Sequence, residues 1–292
     1  MGNTSPSLGH LQLAIPTPVP QSSTCMLLSK KGVFYVTNSS TCALYIIQHG
    51  EVVTLIELEG CPTRMCFSNE EQNILVCVDE TVHEYTHTGK HIRTIDTGCI
   101  VGAVAWNSIH NLMAVGRADV DTGASVDMDG RIKLYNYTDA NFVTAFCNYG
   151  QDATCMRVLT SLMFTNDSCF LVAAETRAYS SLVVFNLKGD FIKSISVPGL
   201  LGGCVDFILP VDDKIILIDK NSHSLLTLRK KGVGSGSGSG SNKQSFFTAT
   251  KMNLKNVHFF SPISICKDSK CVFILNGDTG ILDVIPRKNI GM

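Results

Sequence analysis

The chain has 292 residues, of which 45% are apolar and only 17% charged, with a net charge of −1. That balance excludes the broad basic footprint that dominates nucleic-acid affinity. The apolar content excludes a disordered chain, and the length suffices for one large domain with a sizeable core.

Residues 1–20 hold no Lys or Arg and carry Pro16, Pro18 and Pro20, so they do not read as a secretory signal. Gly2 lacks the Ser or Thr that myristoylation wants at position 6, where Pro6 stands. No run of 18 apolar residues follows, so no membrane-spanning helix is expected. Residues 11–15 form one short alternating strand with no sequence neighbour to pair with.

From residue 26 onward, short runs of β-branched and aromatic residues recur, and no stretch shows a helical stripe. Aligned, the runs form a repeat. A first strand ends in an apolar anchor: Leu28, Phe67, Trp106, Phe164, Phe207 and Ile265, at spacings of 39, 39, 58, 43 and 58. Second strands are predicted at 33–36, 74–78, 112–115, 170–174, 215–218 and 272–275. Third strands fall at 44–47, 82–85, 132–135, 182–185, 225–228 and 281–284. Fourth strands fall at 52–56, 92–95, 143–146 and 192–195. One long interval holds an insertion at 118–126 and a polar stretch at 148–157. The other holds the strictly alternating Gly-Ser block at 234–241, which reads as an engineered flexible linker. It replaces the loop between the third and fourth strands of the fifth repeat, whose outer strand is expected at 245–250.

Four antiparallel strands repeated six times predict an all-β fold, a six-bladed β-propeller forming a single domain over 1–292. The sixth repeat lacks an outer strand, so the N-terminal strand at 11–15 is expected to complete it and close the ring. Seven blades, the alternative, would need a further blade at 148–157 or 242–260, and neither stretch is long enough.

The third repeat, with Val104-Ala105-Trp106-Asn107, Leu112-Met113-Ala114-Val115 and Asp129-Gly130-Arg131-Ile132-Lys133-Leu134-Tyr135, resembles a WD40 blade. It lacks the Gly-His and Trp-Asp dipeptides of strong WD40 repeats. Tyr85 to Ile92 and Phe185 to Ile192 resemble NHL-type blades, where an aromatic precedes a glycine hairpin. Phosphoinositide-binding propellers also carry a long late loop, but their Phe-Arg-Arg-Gly is replaced here by Ser196-Val197-Pro198-Gly199.

Several constellations have a simple structural reading. Ser125, Asp127, Asp129 and Gly130 resemble part of a calcium loop, but Asn136 stands where a bidentate Glu is needed, so a hairpin turn explains them. His83, His87 and His91 recur every four residues across a Gly hairpin and read as solvated; were zinc bound, His87 and His91 would be the pair. Trp106 shares its repeat column with Phe67, Phe164 and Phe207 and reads as core. None of the twelve cysteines forms a Cys-x-x-Cys pair, and many sit in apolar runs, so buried thiols in a reducing compartment, cytoplasmic or nuclear, are expected. Propeller hydrolases hold calcium with carboxylates from the first strands, and these first strands offer few, Asp206 being the exception.

The expected function is a non-enzymatic protein–protein scaffold or adaptor with no cofactor, a subunit of a larger complex. Candidate contact residues are the acidic insertion (Asp119, Asp121, Asp127, Asp129), the polar stretch (Gln151, Asp152, Arg157) and the basic rim of the replaced loop (Arg229, Lys230, Lys231). An NHL-like RNA module is disfavoured by the net charge and DNA is not expected. A membrane-trafficking or phosphoinositide-linked role would act through the replaced loop. A calcium-dependent hydrolase is the weakest alternative.

Overall fold

A computed structural model describes residues 11–14, 23–118, 131–147, 159–165, 168–175, 181–196, 204–208, 214–219, 224–230, 247–251, 262–276 and 281–287. Among the described residues, the strands form six four-stranded antiparallel sheets. The first holds β2 (Ser23–Leu28), β3 (Phe34–Asn38), β4 (Ala43–Gln48) and β5 (Glu51–Glu57); β1 (Leu11–Ala14) precedes it in the chain. The second holds β6 (Pro62–Ser68), β7 (Asn73–Val78), β8 (Thr81–Thr86) and β9 (His91–Asp96). The third holds β10 (Val101–Asn107), β11 (Leu112–Arg117), β12 (Ile132–Asn136) and β13 (Phe142–Phe146). The fourth holds β14 (Leu159–Phe164), β15 (Phe170–Glu175), β16 (Ser181–Asn186) and β17 (Phe191–Ser196). The fifth holds β18 (Cys204–Ile208), β19 (Lys214–Asp219), β20 (Ser224–Lys230) and β21 (Phe247–Lys251). In the sixth, β22 (Pro262–Lys267), β23 (Cys271–Asn276) and β24 (Ile281–Pro286) are joined by β1, which pairs antiparallel with β24 from Leu11 opposite Val284 to Ala14 opposite Ile281.

The innermost strands touch in the cyclic order β2, β6, β10, β14, β18, β22 and back to β2. The core lies in the wedges between these sheets. Strand side chains alternate between faces, so each middle strand serves two wedges. On β4, Leu44 and Ile46 pack with Ile74 and Val76 of the second blade. Ala43, Tyr45 and Ile47 pack with Phe273, Leu275 and Leu282 of the sixth. Both faces are therefore covered, which explains why β4, β7 and β23 read as almost unbroken apolar runs while the outer β5 alternates.

Two hairpin glycines fix the spacing between blades. Gly89 (φ +91°) and Gly189 (φ +88°) each face the preceding blade, where a Cβ would meet Ile56 Cδ1 at 2.8 Å and the Phe146 ring at 2.5 Å. These are the glycines of the NHL-like hairpins. Only a residue without a Cβ adopts this left-handed backbone cheaply and lets the neighbour approach so closely.

Candidate functional site

All six innermost strands share one irregularity. The register to the second strand slips between Ser23 and Cys25, Pro62 and Met65, Val101 and Ala103, Leu159 and Ser161, Cys204 and Phe207, and Pro262 and Ser264. A bulge removes residues from the ladder and re-aims their polar groups. Three of the released carbonyls meet one side chain. Arg64, itself in the slipped segment of β6, donates from Nε to Thr160 O at 3.2 Å and from Nη1 to Thr24 O at 3.1 Å and Ile263 O at 3.5 Å. One guanidinium thus links four blades across the axis. Asp206, the carboxylate singled out in the first strands, occupies the slipped segment of β18, the same register position as Arg64.

Around Arg64 lies a cavity of about 570 Å³. Its wall is apolar, with Leu27, Phe67, Trp106 and Phe164 among its members, and its polar lining residues are Arg64, Glu71, Ser161 and Lys267. Glu71 ends a turn in which Asn69, Glu70 and Glu71 all have positive φ (47°, 54° and 69°), and its Oε2 accepts the Lys30 N–H at 2.8 Å. Trp106 is half-buried; its ring meets Tyr137 edge-on at 5.8 Å, and Nε1 is buried with no acceptor among the described residues. It packs as its repeat column predicts, but it also walls the cavity.

Two thiols near Arg64 are shifted away from the thiolate form. Burial, then the neighbouring Cys25 and Glu84, push the Cys66 thiol far up. Burial, then Cys66 and Cys25, do the same to Cys77, against a smaller opposing effect from Arg64. Thiols so shifted stay protonated and behave as small apolar groups. Among the ten cysteines whose side chains are described, five are buried and only Cys61 and Cys169 are exposed. No group of three His, Cys, Asp or Glu side chains among the described residues is arranged to hold a metal.

The histidine reading needs correction at one position. His87 and His91 are exposed, but His83 is buried, because it lies on β8, a third strand covered on both faces. Its Nε2 lies 2.9 Å from Thr81 Oγ1 and its Nδ1 3.3 Å from Thr94 Oγ1. Burial, reinforced by the His91 charge, lowers its pKa.

A second cluster, not foreseen from sequence, joins the second and third blades. The Glu84 carboxylate is buried and accepts Arg93 Nε at 2.7 Å, Asn73 Nδ2 at 2.6 Å and the Tyr137 hydroxyl. Arg93 lies 4.9 Å from the Tyr137 ring centroid and donates to the Thr138 and Tyr137 carbonyls. The available signal was a Glu and an Arg in adjacent strands, which became informative only once the register placed them opposite each other.

Asp119, Asp121, Asp127, Asp129, Gln151, Asp152, Arg157 and Lys231 lie outside the described residues, as does the 234–241 block. Arg229 and Lys230 end β20, in register with Thr248 and Phe247 of β21.

The outer strands show a second repeated slip. Val53, Ile92, Val143 and Ile192 are each skipped by the ladder to the third strand. Val53 (55%), Ile92 (46%) and Val143 (52%) project into solvent, while Ile192 packs inward. Leu55 and Phe142 are exposed on the same strands.

No protein-family model matches the chain, and no curated protein matches it by sequence. The fold is similar to that of a streptogramin B lyase (TM-score 0.66, 9% identity, 95% of this chain and 98% of that one). It is also similar to a chain of the Kuenenia stuttgartiensis hydrazine synthase (0.60, 11%, 96% and 98%) and to one of a mitotic checkpoint complex (0.60, 12%, 94% and 90%). The chain is a β-propeller of four-stranded antiparallel blades, resembling the WD40 and NHL-type propellers at the level of fold.

Proposed function

We propose that the protein is a six-bladed propeller, its last blade completed by β1, and that it serves as a non-enzymatic interaction module, a scaffold or adaptor within a larger assembly. The blade count is supported by the six sheets and by the cyclic contact order of their innermost strands. The pairing of β1 with β24 joins the two ends of the described chain in one sheet. The domain is read as one unit over 1–292, with the Gly-Ser block in place of a loop of the fifth blade.

The observation that carries the interaction reading is the outer rim. Three successive blades present a β-branched side chain to solvent at the same slipped position, Val53, Ile92 and Val143. The slip takes each of these residues out of the ladder to the third strand and leaves its apolar group exposed. Apolar groups in a polar surround suit a protein partner. In the cavity, by contrast, Arg64 is engaged with backbone carbonyls and the Cys66 thiol is held protonated, which supports binding over chemistry. The fold leaves the choice open, since similar folds occur in a lyase, a hydrazine synthase and a checkpoint complex. The abundance of thiols suits a reducing compartment.

The test is quantitative affinity purification from cells, comparing the protein with a Val53→Lys, Ile92→Lys, Val143→Lys variant. Partners enriched by the first and lost by the second are expected. If the unaltered protein enriches nothing above a control propeller, the scaffold reading falls.

A further inference from the structure

We propose that the free edge of β5 is a docking site for an extended peptide segment in which two aliphatic side chains are flanked by basic residues. The inference rests on the interaction-module reading and names the partner chemistry of one part of the rim.

β5 is the terminal strand of its sheet, so one line of its backbone N–H and C=O groups faces away from β4. Its seven residues alternate strictly between exposed and half-buried. The exposed side reads Glu51, Val53, Leu55, Glu57, and Glu59 beyond the strand is exposed as well. Val53 is 55% and Leu55 53% exposed, so over half of each aliphatic side chain stands in water. Neither Glu51 nor Glu57 has a hydrogen-bonding or ion-pairing side-chain partner among the described residues. The strand therefore offers an unpaired backbone edge, two apolar side chains at alternate positions, and a carboxylate at each end.

An added strand would satisfy the edge hydrogen bonds, while its alternate side chains would meet the exposed row. The charges choose the strand. A second copy of β5 lying antiparallel would set Glu51 against Glu57 at both ends, and like charges directly opposite are unfavourable. Self-pairing is thus discouraged without the edge lysine or proline often used for that purpose. A segment with Lys or Arg at the two outer positions and aliphatic residues between meets both carboxylates and covers Val53 and Leu55. On β9 and β13 the pattern is broken, because Arg93 is turned to Glu84 and β13 carries no carboxylate.

The test uses the whole protein and a fluorescein-labelled heptapeptide that alternates lysine, valine, leucine and lysine with threonine. A second peptide has glutamate for both lysines. Anisotropy should show saturable binding of the lysine peptide, at least tenfold weaker for the glutamate peptide and weaker in raised salt. Val53→Lys with Leu55→Lys should weaken it at least tenfold. Glu51→Lys with Glu57→Lys should reverse the preference between the peptides. Hydrogen exchange should slow across 51–57 when the lysine peptide is bound. All four positions are exposed, and circular dichroism checks that the variants keep the fold. Equal binding of both peptides, no binding of either, or binding indifferent to the Val53 and Leu55 changes would overturn the inference. If the intact protein still enriches partners in cells in any of those cases, the scaffold reading survives without it.

Discussion

The Glu84 carboxylate and the Arg93 guanidinium face each other across β8 and β9, Oε2 to Nε at 2.7 Å, and the Glu84 side chain is only 2% exposed. A buried charge is tolerated where every polar neighbour is turned toward it, and here Asn73 and Tyr137 supply the remaining donors. Because Tyr137 belongs to the third blade, the pair is also an inter-blade clamp. Glu84→Ala would leave Arg93 partly buried without its partner. A loss of about 3 kcal/mol is expected by analogy with other broken buried pairs, read as a shift of the urea midpoint at constant slope. Tyr137→Phe should cost about 1–2 kcal/mol, and the two changes should be clearly non-additive in a double-mutant cycle.

Arg64 makes a different kind of tie. Its contacts are to carbonyls that the innermost-strand slips have released, so no other side chain in the blades concerned needs to change for the tie to fail. Arg64→Met keeps the apolar stem and removes the fork. It should destabilise the protein by about 2–4 kcal/mol, since charge-assisted hydrogen bonds to partly buried acceptors are lost. Arg64→Lys should recover only part, because a single ammonium cannot span carbonyls on β2, β14 and β22. Recovery of full stability by lysine would show that charge alone, not the fork, matters there.

The strand pattern was legible in the sequence because both the two-residue alternation and the repeat length are local signals. The middle strands at 74–78 and 272–275, for example, differ from β7 by one residue at one end and from β23 by one residue at each end. The N-terminal strand could be placed beside the last repeat by elimination, since the sixth repeat had three strands and the chain one to spare. The site was less legible. Arg64 carries no signal in the sequence, because its role depends on bulges in three other strands up to 199 residues away. His83 looked solvated because a spacing of four drew attention to the hairpin and away from the strand on which it lies. Val53 and Val143 sat in runs apolar on both faces and Ile92 in a largely polar one, and the repeated slip that exposes them is a register property that no single run displays.

Three hairpin glycines with similar backbone angles should respond differently to alanine. Gly50 (φ +83°) has open space where a Cβ would go, so Gly50→Ala carries only backbone strain, about 1 kcal/mol. Gly89→Ala adds a contact with the ends of the Ile46 and Ile56 side chains, which can turn aside. Gly189→Ala would drive a methyl into Phe146 at Cβ, Cγ and Cδ1, within 2.5 to 2.9 Å, and the ring cannot retreat without opening the wedge against Phe185. Melting temperatures should therefore fall in the order Gly50, Gly89, Gly189, the last by the most. Equal shifts at all three would mean that the blade-to-blade approach contributes nothing.

His83 should make stability depend on pH in mildly acid solution. Its ordinary pKa is 6.5, and burial first, then the nearby His91 charge, lower it in the folded protein. Between the lowered value and 6.5 the unfolded chain binds the proton more tightly, so stability rises with pH across that window. At pH 7.5 His83 is neutral in both states and the full stability is present. As pH falls below about 6.5 stability is lost progressively, and this contribution levels off once the folded pKa is passed. His83→Asn, which keeps polar groups near Thr81 and Thr94 but does not titrate, should flatten that part of the curve. His91→Gln removes the repelling charge but not the burial, so it should shrink the acid-side loss without abolishing it. Urea unfolding at half-unit steps from pH 5 to 8 resolves the three profiles. An unchanged slope in the His83 variant would assign the acid sensitivity to other groups.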